Sequence, residues 1–505
     1  MEESEVMSTM ESTLLVLAAV LKDLQTLTVA GAQWGDEGKG KIIALLAPLF
    51  DFVERFSGAS NAGHTAYTPD GKKIVSHQIP CGLAAGKTCI IGRGLMFDPV
   101  RYADEYREAS AILGDSVPQI WIDNQCTVWT PWHTILESWI ERQRVKRSGK
   151  SINTTKRGVG PMAAIRDFRI DVKTWDLIGP RQKLIEKLDG IYENLKLLLE
   201  AELEARDCED CLQVPAEVAE LLLASSDLLA RDVIDAGDLS RKELMQGSRF
   251  LFEAAQATML DLLAGTNPFV SAGMSTAAGA AYGAVIPPKY INEVLLVAKF
   301  YPTRVGEGPF VSEIWDRSTA ERFPEDHKEL FVPSRVRDEF LARTLYRINN
   351  ESASPADISQ YLQVLQYERG ASTGRGRSVG YPDLPTLRYA VEVNGSRYLA
   401  LTCLDAMSGL DQIPIVVDYE LPNGSIMPRG SMAVTDVLFE TKPVTRVLPG
   451  WPKDIHGCRR EKDLPPAARD VIRLIEQETG THVLIVGTGP ENDAIIVRPP
   501  KGSLS

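Results

Sequence analysis

The sequence predicts an α/β fold: a large central, mainly parallel sheet with surrounding helices and helical insertions. Three observations carry that reading. A β-rich run, Leu27-Thr-Val-Ala-Gly31, feeds directly into Gly-rich sequence, and Lys41-Ile-Ile-Ala-Leu-Leu46 then reads as helix. That is a strand–loop–helix unit of the kind that opens parallel sheets. Further short apolar runs follow, separated by stretches of helical spacing. Hydrophobic residues make up 44% and charged residues 24%, which are ordinary globular values.

Along the chain, Asp51-Phe-Val-Glu-Arg-Phe56 is a second strand, ending at the small, polar run Ser57 to His64. Residues 181 to 263 place Leu184, Leu188, Tyr192, Leu195 and Leu199 at helical spacing and read as a helical stretch. Later strands are expected at Glu293–Tyr301, Arg397–Cys403, Ile413–Tyr419 and His482–Val486, with an amphipathic helix over 467–479. Residues 324–365 are polar and irregular and read as an insertion. A length of 505 residues suggests about three domains. No repeat, linker or composition shift marks a boundary, so residues 27–505 read as a single domain preceded by an extension, 1–26.

That extension holds the apolar run Leu14–Leu21, too short to span a bilayer, after Glu2, Glu3, Glu5 and Glu11. A secretory signal starts basic instead. The run reads as an added helix or as an upstream start. With no other candidate span, a soluble, cytoplasmic protein with no membrane partner is expected. The seven cysteines are an odd, scattered set that fits reduced thiols. Cys208 and Cys211 have C-x-x-C spacing but lack the second pair a zinc site needs. The net charge of 55 − 68 = −13 argues against nucleic-acid binding. Any anion site must be built locally, from Lys39, Arg157, Arg166, Arg304, Arg375 and Arg377.

The strongest local signal is Gly31-Ala-Gln-Trp-Gly-Asp-Glu-Gly-Lys-Gly-Lys41. Glycines let backbone N–H groups turn toward phosphate, the following helix adds its N-terminal dipole, and Lys39 offers a point charge. The spacing is neither a Walker A loop nor G-x-G-x-x-G. Asp36 stands in its centre, where a carboxylate beside phosphates makes sense as a Mg²⁺ ligand or a base.

This string, followed by Asn61-Ala-Gly-His-Thr65, resembles adenylosuccinate synthetase. Further matches follow in order: Thr154-Thr155 with Arg157–Pro161, Phe252-Glu-Ala-Ala-Gln256, Gly265–Val270, Thr303–Phe310, Ser372–Arg377, Leu404-Asp405, Pro449–Trp451 and Gly487–Pro490. The resemblance spans about residues 27–500. It implies a GTP- and Mg²⁺-dependent ligase that joins IMP to L-aspartate in AMP synthesis. In the family, base-assisted phosphoryl transfer to the IMP 6-oxygen precedes displacement of phosphate by the aspartate amine.

By that resemblance Asp36 is base and Mg²⁺ ligand, the Gly63 carbonyl is a second ligand, and His64 is the acid. Lys39 and Gln256 join them as catalytic residues. Asn61, Thr155, Arg166, Gln256, Ser271, Val305 and Arg375 are implied for IMP, with Arg166 supplied across a homodimer. Gly35, Glu37, Gly38, Lys39, Gly40, Lys41, Gly63, Thr65, Arg377, Cys403, Asp405, Gly487 and Gly489 are implied for GTP. Ala371, Ser372, Thr373, Arg375 and Arg377 are implied for aspartate, whose carboxylates suit guanidinium forks.

Four departures stand out. Cys403 replaces the Lys whose stem packs on guanine in the family. The segment after Pro161, Met162–Arg166, is shorter. Ala254-Ala-Gln-Ala257 adds methyls around Gln256, on the nucleobase side. Ala272-Gly-Met-Ser-Thr276 replaces a Ser/Asn/Thr run. The reading is retained chemistry with altered recognition. Two alternatives stay open: a paralogue acting on another purine nucleotide or amine, with ATP as a possible donor, or a nucleotide-binding regulator without turnover.

Overall fold

The computed structural model describes residues 2–149, 151–206, 212–351, 353–369, 376–500 and 502. Cys208, Cys211 and residues 371–375 lie outside them. One ten-stranded sheet is formed among the described residues. Its strands are β1 (Thr26–Gly31), β2 (Phe52–Arg55), β3 (Thr88–Ile91), β4 (Ile120–Asp123), β5 (Val233–Ile234), β6 (Phe250–Glu253), β7 (Glu293–Lys299), β8 (Tyr398–Thr402), β9 (His482–Gly487) and β10 (Ile495–Val497). The order across the sheet is β10-β9-β8-β7-β1-β6-β2-β3-β4-β5. All neighbours are parallel except β9 and β10.

A parallel sheet is covered on both faces, so its central strands are apolar throughout. Every residue of β1 and β7 is buried. Alternation along them divides two cores. Leu27, Val29, Leu295 and Val297 pack with helix α2 (Lys39–Leu46) on one face. Ala30, Leu296 and Ala298 pack on the other with the helices Leu384–Asn394 and Pro466–Thr479. A third core lies at the β3–β5 end, among the helices Pro131–Ser148, Arg181–Glu204 and Pro215–Leu223.

Several expectations are corrected. The helical stretch from 181 is interrupted by β5 and ends at Gln246, and Phe250–Glu253 is a strand beside β1. Its four residues are all buried, so packing rather than local spacing decides its state. Gln412–Glu420 is a strand, but it pairs antiparallel with Lys442–Pro449 outside the main sheet. Residues 324–365 are not irregular. They contain the end of helix Arg317–Asp326, then Arg335–Asn350 and Pro355–Leu365. Ser334 and Ser354 cap the latter two by accepting from Arg337 N and Asp357 N.

The N-terminal extension forms helix α1 (Glu2–Val20). Leu17 and Leu21 are fully buried in the core that also holds Ile42, Leu46 and Ile495. Arg249 fixes the exit, donating to the carbonyls of Leu21 and Leu24 at 2.8 and 3.0 Å. Leu17→Ala should therefore cost about 2–5 kcal/mol in denaturant unfolding. Because Leu17 lines no part of the cleft described below, substrate KM values should not change. Among the described residues no helix is long and apolar enough to cross a membrane.

Candidate active site

The loops that follow β1, β2, β6 and β7 meet at the carboxyl ends of the strands, where open α/β sheets bind ligands. They enclose a cleft of about 770 Å³. It is lined by Gly35–Gly40, Asn61–Thr65, Thr155, Gln256, Ser271, Val305 and Arg377, among others. These segments are separated by up to 342 positions in the chain (377 − 35). The expected catalytic residues are thus brought together.

The Gly-rich loop is held from inside. Glu37 turns its carboxylate into the protein, accepting from Gln33 N at 3.1 Å and Gly35 N at 2.9 Å. Its other oxygen pairs with Lys39 Nζ at 2.6 Å, both side chains being buried. The Glu37 carbonyl accepts from Thr402 Oγ1 at 2.8 Å, which ties the loop to the end of β8. Glu37, expected at the nucleotide, lines the cleft, and its side chain shapes the loop and orients Lys39. Gly40 is needed where it stands, since a Cβ there would lie 2.4 Å from the Thr65 carbonyl oxygen. That close approach seats α2 against the strand His64–Tyr67.

Asp36 faces the cleft in the left-handed region, with φ of 61°. Its carboxylate meets Arg377 Nε at 3.0 Å. Arg377 also donates to Glu368 at 2.9 Å. Glu368 is fully buried and further bonded to Lys299 and to Tyr301 at 2.5 Å. Burial opposes its charge, but Lys299 and Arg377 prevail and hold its carboxyl down at about 2. The ion pairs thus form a chain from the protein interior to Asp36.

Glu368→Gln would leave two buried cations facing a neutral amide, a loss of about 3–5 kcal/mol. The folded pKa of Glu368 is depressed, so its contribution is complete above the ordinary value of 4.5. It disappears as pH falls toward 2. The stability gap between parent and variant, read by thermal unfolding, should therefore be full at pH 7 and narrow below pH 4.5.

His64 pairs through Nδ1 with Glu253 Oε1 at 2.6 Å, Glu253 being fully buried at the end of β6. The second Glu253 oxygen accepts from Cys81 N at 2.8 Å. Burial pushes the His64 pKa down, the nearby Arg55 cation adds to this, and Glu253 resists. Glu253 itself is disfavoured by burial, yet His64 and Arg55 hold its carboxyl below the usual range. An ionised carboxylate only accepts, so Nδ1 carries hydrogen and Nε2 is left for the cleft.

Gln256 also takes a positive φ, 56°, and its Nε2 reaches Asn61 Oδ1 at 3.4 Å. Its Oε1 is buried and has no hydrogen-bond partner within the protein. Such an orphan acceptor is suited to a ligand donor. The added methyls beside it do not face the cleft. Ala254 is fully buried in the core with Phe252 and Ala277, and a Cβ on Gly31 would touch that of Ala257, so both methyls pack against protein. The expectation that they alter the ligand side is corrected. Ser271 and Ala272 do line the cleft.

Other expected residues lie elsewhere. Lys41 donates to the carbonyls of Gly489 and Ala494 at 2.8 and 3.1 Å, and burial lowers its pKa to about 8. Asp405 raises it again and Cys403 lies close by, so Lys41, Cys403, Asp405 and Gly489 form a separate cluster next to α2. Gly487 ends β9 nearby, within 3.3 Å of Thr402 Cα measured from where a Cβ would stand. Arg304 does line the cleft but is no free anion site. It is fully buried and donates to the carbonyls of Glu307, Pro309 and Phe269 at 2.6, 2.7 and 3.1 Å, shaping the turn that carries Val305. Arg166, at the end of helix Val159–Phe168, pairs with Asp167 at 3.0 Å and does not line this cleft. Ala371, Ser372, Thr373 and Arg375 are outside the described residues.

Sequence reasoning assigned no role to Glu253, Glu368 or Arg144. Glu253 did stand in the quoted Phe252–Gln256 motif. Arg144 lines the cleft from helix Pro131–Ser148, where nothing in the sequence distinguishes it from neighbouring basic residues.

The family model described as adenylosuccinate synthetase matches residues 28–496. The chain belongs to the adenylosuccinate synthetase family. It is accordingly a ligase of the class that forms C–N bonds. The adenylosuccinate synthetase of Mycolicibacterium vanbaalenii is 34% identical over 476 residues, 94% of this chain and 98% of the relative. That of Vibrio vulnificus is 32% identical over 473 residues, 93% and 97% respectively. The fully ligated adenylosuccinate synthetase from Plasmodium falciparum superposes with a TM-score of 0.76 at 28% identity, covering 94% of this chain and 100% of that one. A cyanophage S-2L succinoaminodeoxyadenylate synthetase, bound to dGMP and dATP, shares the fold at a TM-score of 0.53 and 16% identity.

Proposed function

We propose that this family member joins IMP to L-aspartate at the expense of GTP, giving N6-succinyl-AMP, GDP and phosphate for AMP synthesis in the cytoplasm. The observation that carries the reading is one cleft holding Asp36, Lys39, Asn61, His64 and Gln256 at the carboxyl edge of the sheet.

Asp36 accepts the IMP N1 proton, while the 6-oxygen so activated takes the γ-phosphoryl group of GTP. Lys39, locked by Glu37, meets the charge on the transferring group. His64 donates from Nε2. Burial and Arg55 disfavour its imidazolium, and the anionic phosphates of the bound nucleotides offset them. Gln256, whose Oε1 has no protein partner, and Asn61 hold the purine nucleotide. The aspartate amine then attacks C6, and phosphate leaves with the former 6-oxygen. Arg377 is placed to pair with a substrate carboxylate once Asp36 turns to its own work.

The Asp36 carboxylate and the Gly63 carbonyl both line the cleft and are the hard oxygen donors that Mg²⁺ requires. They would hold the ion, which supplies charge neutralisation on the nucleotide phosphates. We place Arg166 in the IMP site of the partner subunit in a homodimer. Its position off this cleft, beside the exposed Phe168, supports that reading.

The test is purified protein with IMP, aspartate, Mg²⁺ and GTP, followed by absorbance of the N6-succinyl product. ATP replaces GTP, and GMP or dGMP replaces IMP, in parallel. Product with IMP is expected. Product with only another acceptor would select the paralogue, and none with any pair would leave a regulator.

A further inference from the structure

We propose that Gln366 reads the purine base of the phosphoryl donor together with Asp405, and that the inserted helix Arg335–Asn350 sets this pair. The inference deepens the proposed function, resting on the reading of Cys403–Asp405 and Gly487–Gly489 as the donor's base pocket.

Gln366 lies 39 positions before Asp405 in sequence, yet its Nε2 stands 3.5 Å from Asp405 Oδ2. It is the first residue past helix Pro355–Leu365, its N–H bonded to the Leu362 carbonyl at 3.1 Å. The inserted helix grips both sides of the pair. At its start, Arg337 donates to the carbonyls of Leu365 and Val364 at 3.1 and 3.4 Å, and its guanidinium lies 4.5 Å from the Tyr367 ring centre. The residues flanking Gln366 are thus fixed by one side chain. At its end, Asn349 donates to the Gly409 carbonyl at 2.7 Å and accepts from Asp411 N at 3.1 Å. Leu345 packs beside Gly409, where a Cβ would come within 3.0 Å of it. The turn carrying Gln366 and the loop carrying Asp405 are therefore held by a single helix.

The chemistry of the pair differs from that of Asp405 alone. A lone carboxylate accepts twice, which matches the N1–H and 2-amino donors of guanine. An amide beside it adds one donor and one acceptor. Lys41 and His456 also act on Asp405, so the amide adds a neutral donor and acceptor to a charged cluster. Adenine offers an amino donor at C6 and an acceptor at N1, and the Gln366–Asp405 pair can satisfy both. Guanine must instead displace Gln366 to use both Asp405 oxygens. The donor pocket accordingly accepts adenine and guanine nucleotides alike.

The test is equilibrium titration of the full-length protein with GDP and with ADP, in the parent, Gln366→Leu and Gln366→Glu. The parent should bind both within about tenfold of each other. Gln366→Leu should weaken ADP by about tenfold, the worth of one hydrogen bond, and leave GDP equal or tighter. Gln366→Glu keeps the size but lacks the donor, and should also weaken ADP. Thermal unfolding checks that each variant is folded. Unchanged constants in both variants, or equal loss for both nucleotides, would overturn the role of Gln366 while leaving the pocket. A parent that binds neither nucleotide would overturn the pocket itself.

Discussion

Replacing Asp36 by Asn should lower kcat by about 10²–10⁴-fold, the usual contribution of a positioned general base. Asn is the informative choice because residue 36 sits at φ 61°, where Asn is tolerated and Ala is strained. The variant keeps the loop, since Glu37 rather than Asp36 anchors it to Gln33, Gly35 and Lys39. Thermal stability should stay close to the parent's, while Arg377 keeps Glu368 as its partner. Steady-state turnover with saturating IMP, aspartate and GTP checks it. Turnover near the parent's would remove Asp36 as the base.

Glu253→Gln should be nearly as severe, with kcat down by about 10²-fold or more. Glu253 does not itself line the cleft and reaches it only through His64, so it is a positioning residue. It holds His64 through Nδ1 and is itself held by Cys81 N. A neutral amide removes the anion that stabilises the His64 cation against burial and Arg55. The acid form of His64 would then demand lower pH, so the alkaline limb of the kcat profile should move down. KM for IMP should change little, because Asn61 and Gln256 are untouched. A simple packing role would instead lower stability without moving the pH profile, and that difference separates the two.

Legibility in the sequence followed from where the physical signal lies. β1 and its loop were readable because a buried, β-branched run meets glycines that a phosphate-facing turn needs. Strand β6 was not, since Phe-Leu-Phe-Glu follows a Leu-rich helical stretch and only its place between β1 and β2 makes it a strand. Helix Arg335–Asn350 was read as irregular although Leu341, Leu345 and Ile348 stand at helical spacing, because Arg, Asp, Glu and Asn surround them and they are only partly buried against the core. In the site, Asp36, Lys39, Asn61, His64 and Gln256 were legible as parts of motifs. The partners that orient them were not. His64 and Glu253 are 189 positions apart, and Lys299 and Glu368 are 69. Pairings at such distances are set by strand order, which no local pattern contains.

In the proposed reaction, phosphoryl transfer to the IMP 6-oxygen precedes attack by the amine. IMP labelled with ¹⁸O at the 6-position tests that order, with the phosphate product read by mass spectrometry. Each phosphate formed should carry one label from IMP, in step with N6-succinyl product. Product formed with unlabelled phosphate, the ¹⁸O appearing in water instead, would contradict it.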